Sequence, residues 1–295
     1  MNNQQFSQWC ERQASPLLAN REMPLLMGIL NVTPDSFSDA GRYFQLDTAL
    51  KHARALIAAG ADLLDIGGES TRPSAGIVSL DEEIQRVVPL IERIRAESDI
   101  SISVDTSKPA VMHAAVSAGA GVINDITALH SEDSLQAAIQ LQVPVCIMHM
   151  QGTPRNMQER PDYPRGVITE INEFFGRQIE RCVAYGLPRE HLVLDPGFGF
   201  GKTVQHNLQI VKHFEQFKCH GLPVMLGASR KNTLGVLLDK PVSERLIAGV
   251  ALTTIAALNG VSMIRTHDVD ETKQALLMAS AVMQADKEQY RGLEQ

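Results

Sequence analysis

The chain has 295 residues, 44% hydrophobic and 21% charged, with a net charge of −7. That length suits one α/β barrel or two small domains, and the balance is that of an ordinary globular chain able to bury a large core. An acidic chain without a Lys/Arg cluster argues against nucleic-acid and anionic-membrane partners. No run reaches the about 18 apolar residues of a membrane span. Cys10, Cys146, Cys182 and Cys219 form no CxxC pair. They read as reduced thiols, which fits the cytoplasm.

Along the chain, Met1 to Asn20 is polar and lacks the basic-then-apolar order of a signal peptide. Residues 1–20 are expected to be a loosely held extension ahead of one domain spanning 21–290. Eight short apolar runs follow: Leu25–Leu30, Leu63–Ile66, Ile100–Val104, Gly121–Ile123, Val143–Met148, Leu192–Leu194, Pro223–Leu226 and Val261–Ile264. Each is apolar on both faces, as buried parallel strands are.

Helical spacing fills the intervals. Asp47 to Ala59 and Leu80 to Ala96 carry apolar residues every three or four positions. Pro109 to Ala118 opens on a proline and ends before Gly119. Further helices are expected near 132–141, 166–185, 205–219, 243–259 and 271–285. Eight strand–helix repeats with no linker predict a single-domain (β/α)8 TIM barrel rather than a long doubly wound sheet. The long non-periodic stretches, 31–46, 67–79 and 149–164, are expected to be functional loops or disordered.

Each apolar run delivers polar groups at its C-terminal end. In order these are Asn31, Gly67 to Pro73, Asp105, Asn124-Asp125, His149, Asp195, Ser229-Arg230-Lys231, and Arg265 with His267. A single such residue can simply mark where a strand stops. Eight in a row, with no such set at the other ends, predict an active site on the C-terminal barrel face.

Asp105, Asn124 and Asp195 together suit a heterocycle with an amidine-like edge, because carboxylates accept paired hydrogen bonds and Asn both donates and accepts. Paired acid–base carboxylates and a metal site are the other readings of this set; no HxH or ExxH spacing supports a transition-metal centre. Arg265 and His267, two apart on a strand, face one way. With Asn31 they make an anion or Mg2+-diphosphate site, where one Asn oxygen plus substrate phosphate is enough for the ion. Lys231 follows strand seven, where barrels often hold anions, and a helix start adds free N–H groups. Arg230 reads equally well as a solvated charge. The glycines of 195–202 resemble a phosphate loop, but no Walker Lys-Ser pair follows.

Taken together, these segments resemble the dihydropteroate synthase family. Met27 to Asp39 resembles its first signature and Asp65 to Pro73 its second. Ser103 to Thr106, Ile123 to Ile126, Met148 to Gly152, Leu194 to Lys202, Ser229-Arg230-Lys231 and Ile264 to Asp268 continue it in order. The resemblance implies condensation of 6-hydroxymethyl-7,8-dihydropterin diphosphate with p-aminobenzoate to 7,8-dihydropteroate, by SN1-like loss of diphosphate. It implies that Asp105, Asn124, Ile126, Met148, Asp195 and Lys231 hold the pterin. Asn31, Arg72, Arg265 and His267 would hold diphosphate, with Mg2+ on Asn31. Thr71, Arg72, Pro73, Phe200, Ser229 and Lys231 would shape the p-aminobenzoate pocket. Asp39 and Arg72 would close the site on two mobile loops, and Asp105, Lys231, Arg265 and Asp39 would be the catalytic set. A homodimer through the last helices and sulfonamide binding are also implied. Ala40 and Ser74 stand where the family often has glycine, which bears on loop closure.

Two alternatives compete. A methyltetrahydrofolate-type methyltransferase would keep the Asp/Asn set but has no need of Ser229-Arg230-Lys231, Arg265, His267 or the Asn31 loop. A non-catalytic pterin-binding barrel predicts the loss of Asp105, Lys231 or Arg265, and all three are present.

Overall fold

The computed structural model describes residues 1–14, 23–32, 42–70 (backbone alone for 42–45), 76, 78–154 and 156–285. Among these, eight strands alternate with helices: β1 (Leu25–Asn31), β2 (Leu63–Gly67), β3 (Ser101–Asp105), β4 (Val122–Asp125), β5 (Val145–Met148), β6 (Leu192–Asp195), β7 (Met225–Leu226) and β8 (Met263–Thr266). All pair in parallel in the order β6-β5-β4-β3-β2-β1-β8-β7, and a parallel bridge between Leu194 and Val224 joins the two ends. The predicted (β/α)8 barrel is the observed fold.

Strand parity divides the core. Leu26, Leu64, Ile123, Val145, Ile147, Leu194, Leu226 and Ile264 pack outward in one cluster with helix residues such as Val87, Val111, Phe175 and Ile210. Met27, Leu63, Val122, Cys146, Val193, Met225 and Met263, one position off, form a second cluster inside the barrel. Both faces are apolar, so the period-two alternation of a strand is invisible in the sequence.

Around the barrel run α2 (Arg42–Ala58), α3 (Leu80–Arg95), α4 (Pro109–Ser117), α5 (Glu132–Leu141), α6 (Val167–Ala184), α7 (Val204–Lys212), α8 (Asn232–Leu238), α9 (Leu246–Leu258) and α10 (Val269–Met283). The helix expected over 205–219 stops at Lys212 and continues as 3-10 turns over Phe214–His220. That tighter winding eclipses positions three apart, which brings Phe214 and Phe217 into the core together. The seven-residue α8 has too little length for a periodic signal, so the sequence marks its start beside Lys231 but not its extent.

The expectation of a loose N-terminal extension is wrong for its first part. Helix α1 (Asn3–Gln13) is capped by Asn2 and Gln5 in a reciprocal capping box. It buries Phe6, Trp9 and Cys10 in the inner cluster, so the helix plugs the N-terminal floor of the barrel. Asn3 fixes the docking: its amide donates to the Gly119 carbonyl at 3.1 Å and its oxygen accepts from the Ile102 N–H at 3.3 Å. The helix reads as polar because only one narrow face is apolar. With the floor sealed, the polar strand ends open only at the other face.

Candidate active site

The C-terminal mouth is organised around one arginine. Arg265, on β8, donates from Nε to Asp65 Oδ2 at 2.6 Å and from Nη2 to Asp105 Oδ2 at 2.7 Å. Asp65, in the middle of β2, is fully buried. Its Oδ2 also accepts from Asn124 Nδ2 at 3.1 Å, which turns the Asn124 amide nitrogen down into the barrel. One buried carboxylate therefore orients both Arg265 and Asn124. Sequence reasoning placed no role on Asp65. The signal was a lone ionisable residue inside the otherwise apolar run Leu63–Ile66.

Burial raises the Asp105 carboxyl to about 7, against the pull of Arg265 and Lys231 and with a smaller push from Asp65. Burial also raises Asp195, while the Gly197 N–H donating to its Oδ1 at 2.7 Å opposes the shift. Asp105 and Asn31 converge beside Gly67, where a Cβ would lie 3.4 Å from Asp105 Cβ and 3.5 Å from Asn31 Oδ1. Asn31 thus offers a hard amide oxygen beside a carboxylate at the strand ends.

On the β7–β8 side, the Ser229 hydroxyl accepts from the His267 N–H at 3.3 Å and lies 3.1 Å from His267 Nδ1. Arg230 pairs with Asp268 at 2.6 Å and stays 44% exposed at the rim. His267 is pushed down to about 3, first by burial and then by Arg230 and Arg265. The imidazole is therefore neutral at physiological pH in the free protein. Lys231 follows at the start of α8 and holds its ammonium 3.8 Å from the centre of the Phe200 ring, a cation–π arrangement. Phe200 packs with Met148 and Met157, and Ile126 and Met150 lie against them. This apolar wall lies under the Lys231 ammonium, and Met157 on it carries no signal in the sequence.

The structure thus brings Asn31, Asp105, Asn124, Ile126, Met148, Asp195, Phe200, Ser229, Lys231, Arg265 and His267 to one barrel face. Asp39, Thr71, Arg72 and Pro73, with Ala40 and Ser74, lie outside the described residues.

A parallel barrel whose mouth pairs a carboxylate–amide set with fixed cations and an apolar wall defines an enzyme acting on a polar, planar substrate that bears an anionic group. The family model for pterin-binding enzymes matches residues 27–267. The chain belongs to the dihydropteroate synthase family. It is 48% identical over 262 residues to the dihydropteroate synthase of Escherichia coli (strain K12), covering 89% of this chain and 93% of that one. Among solved structures it is similar to the Yersinia pestis dihydropteroate synthase in a sulfonamide drug complex, with a TM-score of 0.84, 50% identity, and coverage of 90% and 96%. It is also similar to the Xanthomonas albilineans dihydropteroate synthase with 4-aminobenzoic acid, with a TM-score of 0.84, 43% identity, and coverage of 89% and 94%. The chain is accordingly an enzyme, a transferase. These relationships set aside the methyltransferase and the non-catalytic barrel.

Proposed function

We propose that this barrel mouth joins 6-hydroxymethyl-7,8-dihydropterin diphosphate to p-aminobenzoate, releasing 7,8-dihydropteroate and diphosphate. The observation that carries the assignment is the Asp65–Arg265–Asp105 chain, anchored on the buried Asp65, whose carboxylate also holds Asn124. It sets a fixed cation beside an acceptor-rich edge site. Asp105, Asn124 and Asp195 would take the pterin's donor edge, with Lys231 at its rim and Met148 and Ile126 against its face. A pterin ring presents an amidine-like row of N–H groups, which matches side-by-side oxygens.

Asn31, Arg265 and His267 would receive the diphosphate. Among the described residues no group of three or more His, Cys, Asp or Glu side chains could cage a metal. A divalent ion would then rest on the Asn31 amide oxygen and on substrate phosphates, which is how Mg2+ is usually held. These donors are hard oxygens, so they fit that ion. When bound, Mg2+ would neutralise charge on the leaving diphosphate.

The chemistry follows from charge. The C–O bond to the diphosphate breaks, and its electron pair leaves with the phosphate oxygen. Arg265 stabilises that anion, while Asp105 stabilises the cation left on the pterin methylene. The neutral arylamine nitrogen then forms the C–N bond and releases a proton, so no strong general base is required. Phe200, Ser229 and Lys231 would position the p-aminobenzoate, together with Thr71, Arg72 and Pro73. Asp39 and Arg72 would exclude water.

Val236, Leu237, Ile247, Met278 and Val282, on α8, α9 and α10, are each more than half exposed. A cluster of large apolar side chains on neighbouring helices supports a C2 homodimer through this face. No helix among the described residues is long and apolar enough to cross a membrane, and Cys10, Cys146, Cys182 and Cys219 are all free thiols. Free thiols favour a cytoplasmic setting.

The test is to incubate the purified protein with the pterin diphosphate, Mg2+ and p-aminobenzoate and to follow dihydropteroate and diphosphate. Turnover is expected, and Lys231→Ala and Asp105→Ala should abolish it. Pterin binding without turnover in the wild type would overturn the assignment.

A further inference from the structure

Lys202 lies at the end of the loop after β6 and is 3% exposed. Each of its three N–H groups meets an uncharged acceptor: His149 Nδ1 at 3.0 Å, the His149 carbonyl at 3.3 Å and the Phe200 carbonyl at 2.9 Å. An ammonium has three donors, so its hydrogen-bonding capacity is filled. His149 is held neutral, pushed down to about 2 chiefly by burial, and its Nδ1 lies 3.0 Å from the Lys202 ammonium, where it accepts. Burial also lowers Lys202, to about 7, with the Asp195 charge opposing.

The loop it closes runs from one substrate-facing residue to another. Asp195 begins it, and Phe200 lies beneath Lys231 near its end. The loop is pressed onto the residues after β5: a Cβ on Gly197, whose φ is +69°, would lie 1.9 Å from the His149 carbonyl oxygen. Tyr163 donates to the Gly201 carbonyl at 2.8 Å, and the Phe200 N–H donates to the Gly197 carbonyl at 3.0 Å. The backbone of Phe200 is thereby fixed on both sides, with the Lys202 bond on its carbonyl. A buried ammonium among neutral acceptors costs stability, and a neutral side chain could fill the same space at less cost. What the Lys202 side chain adds is three geometrically defined bonds, one to the Phe200 carbonyl and two that tie the loop to His149.

We propose that Lys202 is a positioning residue of the synthase site, whose bonds to the Phe200 carbonyl and to His149 hold the loop that sets the Phe200 ring beneath the Lys231 ammonium and so shape the p-aminobenzoate side of the mouth. The inference rests on the substrate assignment above. Phe200 and Lys231 make the contact with substrate, and Lys202 acts through Phe200.

The experiment is steady-state kinetics on Lys202→Met, Phe200→Leu and the double variant, each substrate varied in turn, with thermal unfolding of each. Lys202→Met should raise the KM for p-aminobenzoate by about tenfold to a hundredfold, the range that loss of a charge-assisted hydrogen bond gives. The KM for the pterin diphosphate should stay within about twofold, and Tm should not fall by more than a few degrees. In the Phe200→Leu background the same substitution should add less than about twofold, because residues acting through one another are non-additive. An unchanged p-aminobenzoate KM, equal rises in both KM values, or additive effects would each overturn the proposal. If Lys202→Met does not fold, Lys202→Arg carries the same readout, since its planar fork keeps the charge but not the three-way geometry. A wild-type protein without turnover would instead remove the substrate assignment, and this inference with it.

Discussion

Asp65 Oδ2 lies 2.6 Å from Arg265 Nε, so the guanidinium at the barrel mouth is fastened from inside the barrel by a carboxylate with no solvent exposure. The buried partner on its Nε side holds it in register while Nη2 spans to Asp105.

Removing that partner should therefore affect both stability and catalysis. Asp65→Ala leaves Arg265 with one carboxylate and Asn124 without its acceptor, and a cost of about 3–5 kcal/mol is expected. Urea unfolding measures it. A loss under about 1 kcal/mol would mean that Arg265 finds another partner of equal worth.

The raised Asp105 carboxyl has a defined sign. Between its ordinary value and about 7 the native state holds a proton that the unfolded chain has released, so this group's contribution to stability falls as pH rises through that window. Asn at this position has no such term. The Tm of Asp105→Asn relative to wild type should rise from pH 5 to about pH 7 and level off above it, read by calorimetry. A difference that is flat or falling would show that the carboxylate is ionised throughout.

The floor helix should unfold with the barrel. Trp9 is the single tryptophan and is 4% exposed against the inner cluster. Its fluorescence should change at the same denaturant midpoint as far-UV circular dichroism. Trp9→Ala should cost about 3–5 kcal/mol, as large core truncations do. A fluorescence transition that precedes the dichroism change would make α1 an independently loose element.

Charge on the exposed helix face should split the proposed dimer. Ile247 is 84% exposed on α9 and Leu237 55% exposed on α8. Ile247→Glu with Leu237→Glu is expected to give monomer mass by sedimentation at micromolar concentration, where the wild type sediments as a dimer. A monomeric wild type would discard the assembly.

The strand runs, most of the helices and the polar residue at each strand end were legible in the sequence because they are local. Apolar runs bounded by turn residues report buried strands, and the motifs from Asn31 to His267 sit at predictable offsets from them. Helix α1 was misread because its apolar residues Phe6, Trp9 and Cys10 form one narrow stripe on a polar segment. What that stripe covers, the inner ring from Met27 to Met263, is spread over more than two hundred residues of chain.

The sequence by itself determined the barrel, the face that carries the chemistry and the family to which the chain belongs. It could not assign partners across the barrel, since a hydrogen bond between residues 65 and 265 leaves no mark on local spacing. Only the tertiary structure decided that Asp65 orients Arg265 and Asn124 together, and that Lys202 is buried on His149 and Phe200. The first depends on barrel closure, which sets residues 65 and 265 within hydrogen-bond reach, and the second on the packing of the loops after β5 and β6; both exclude the water that would weaken the interaction.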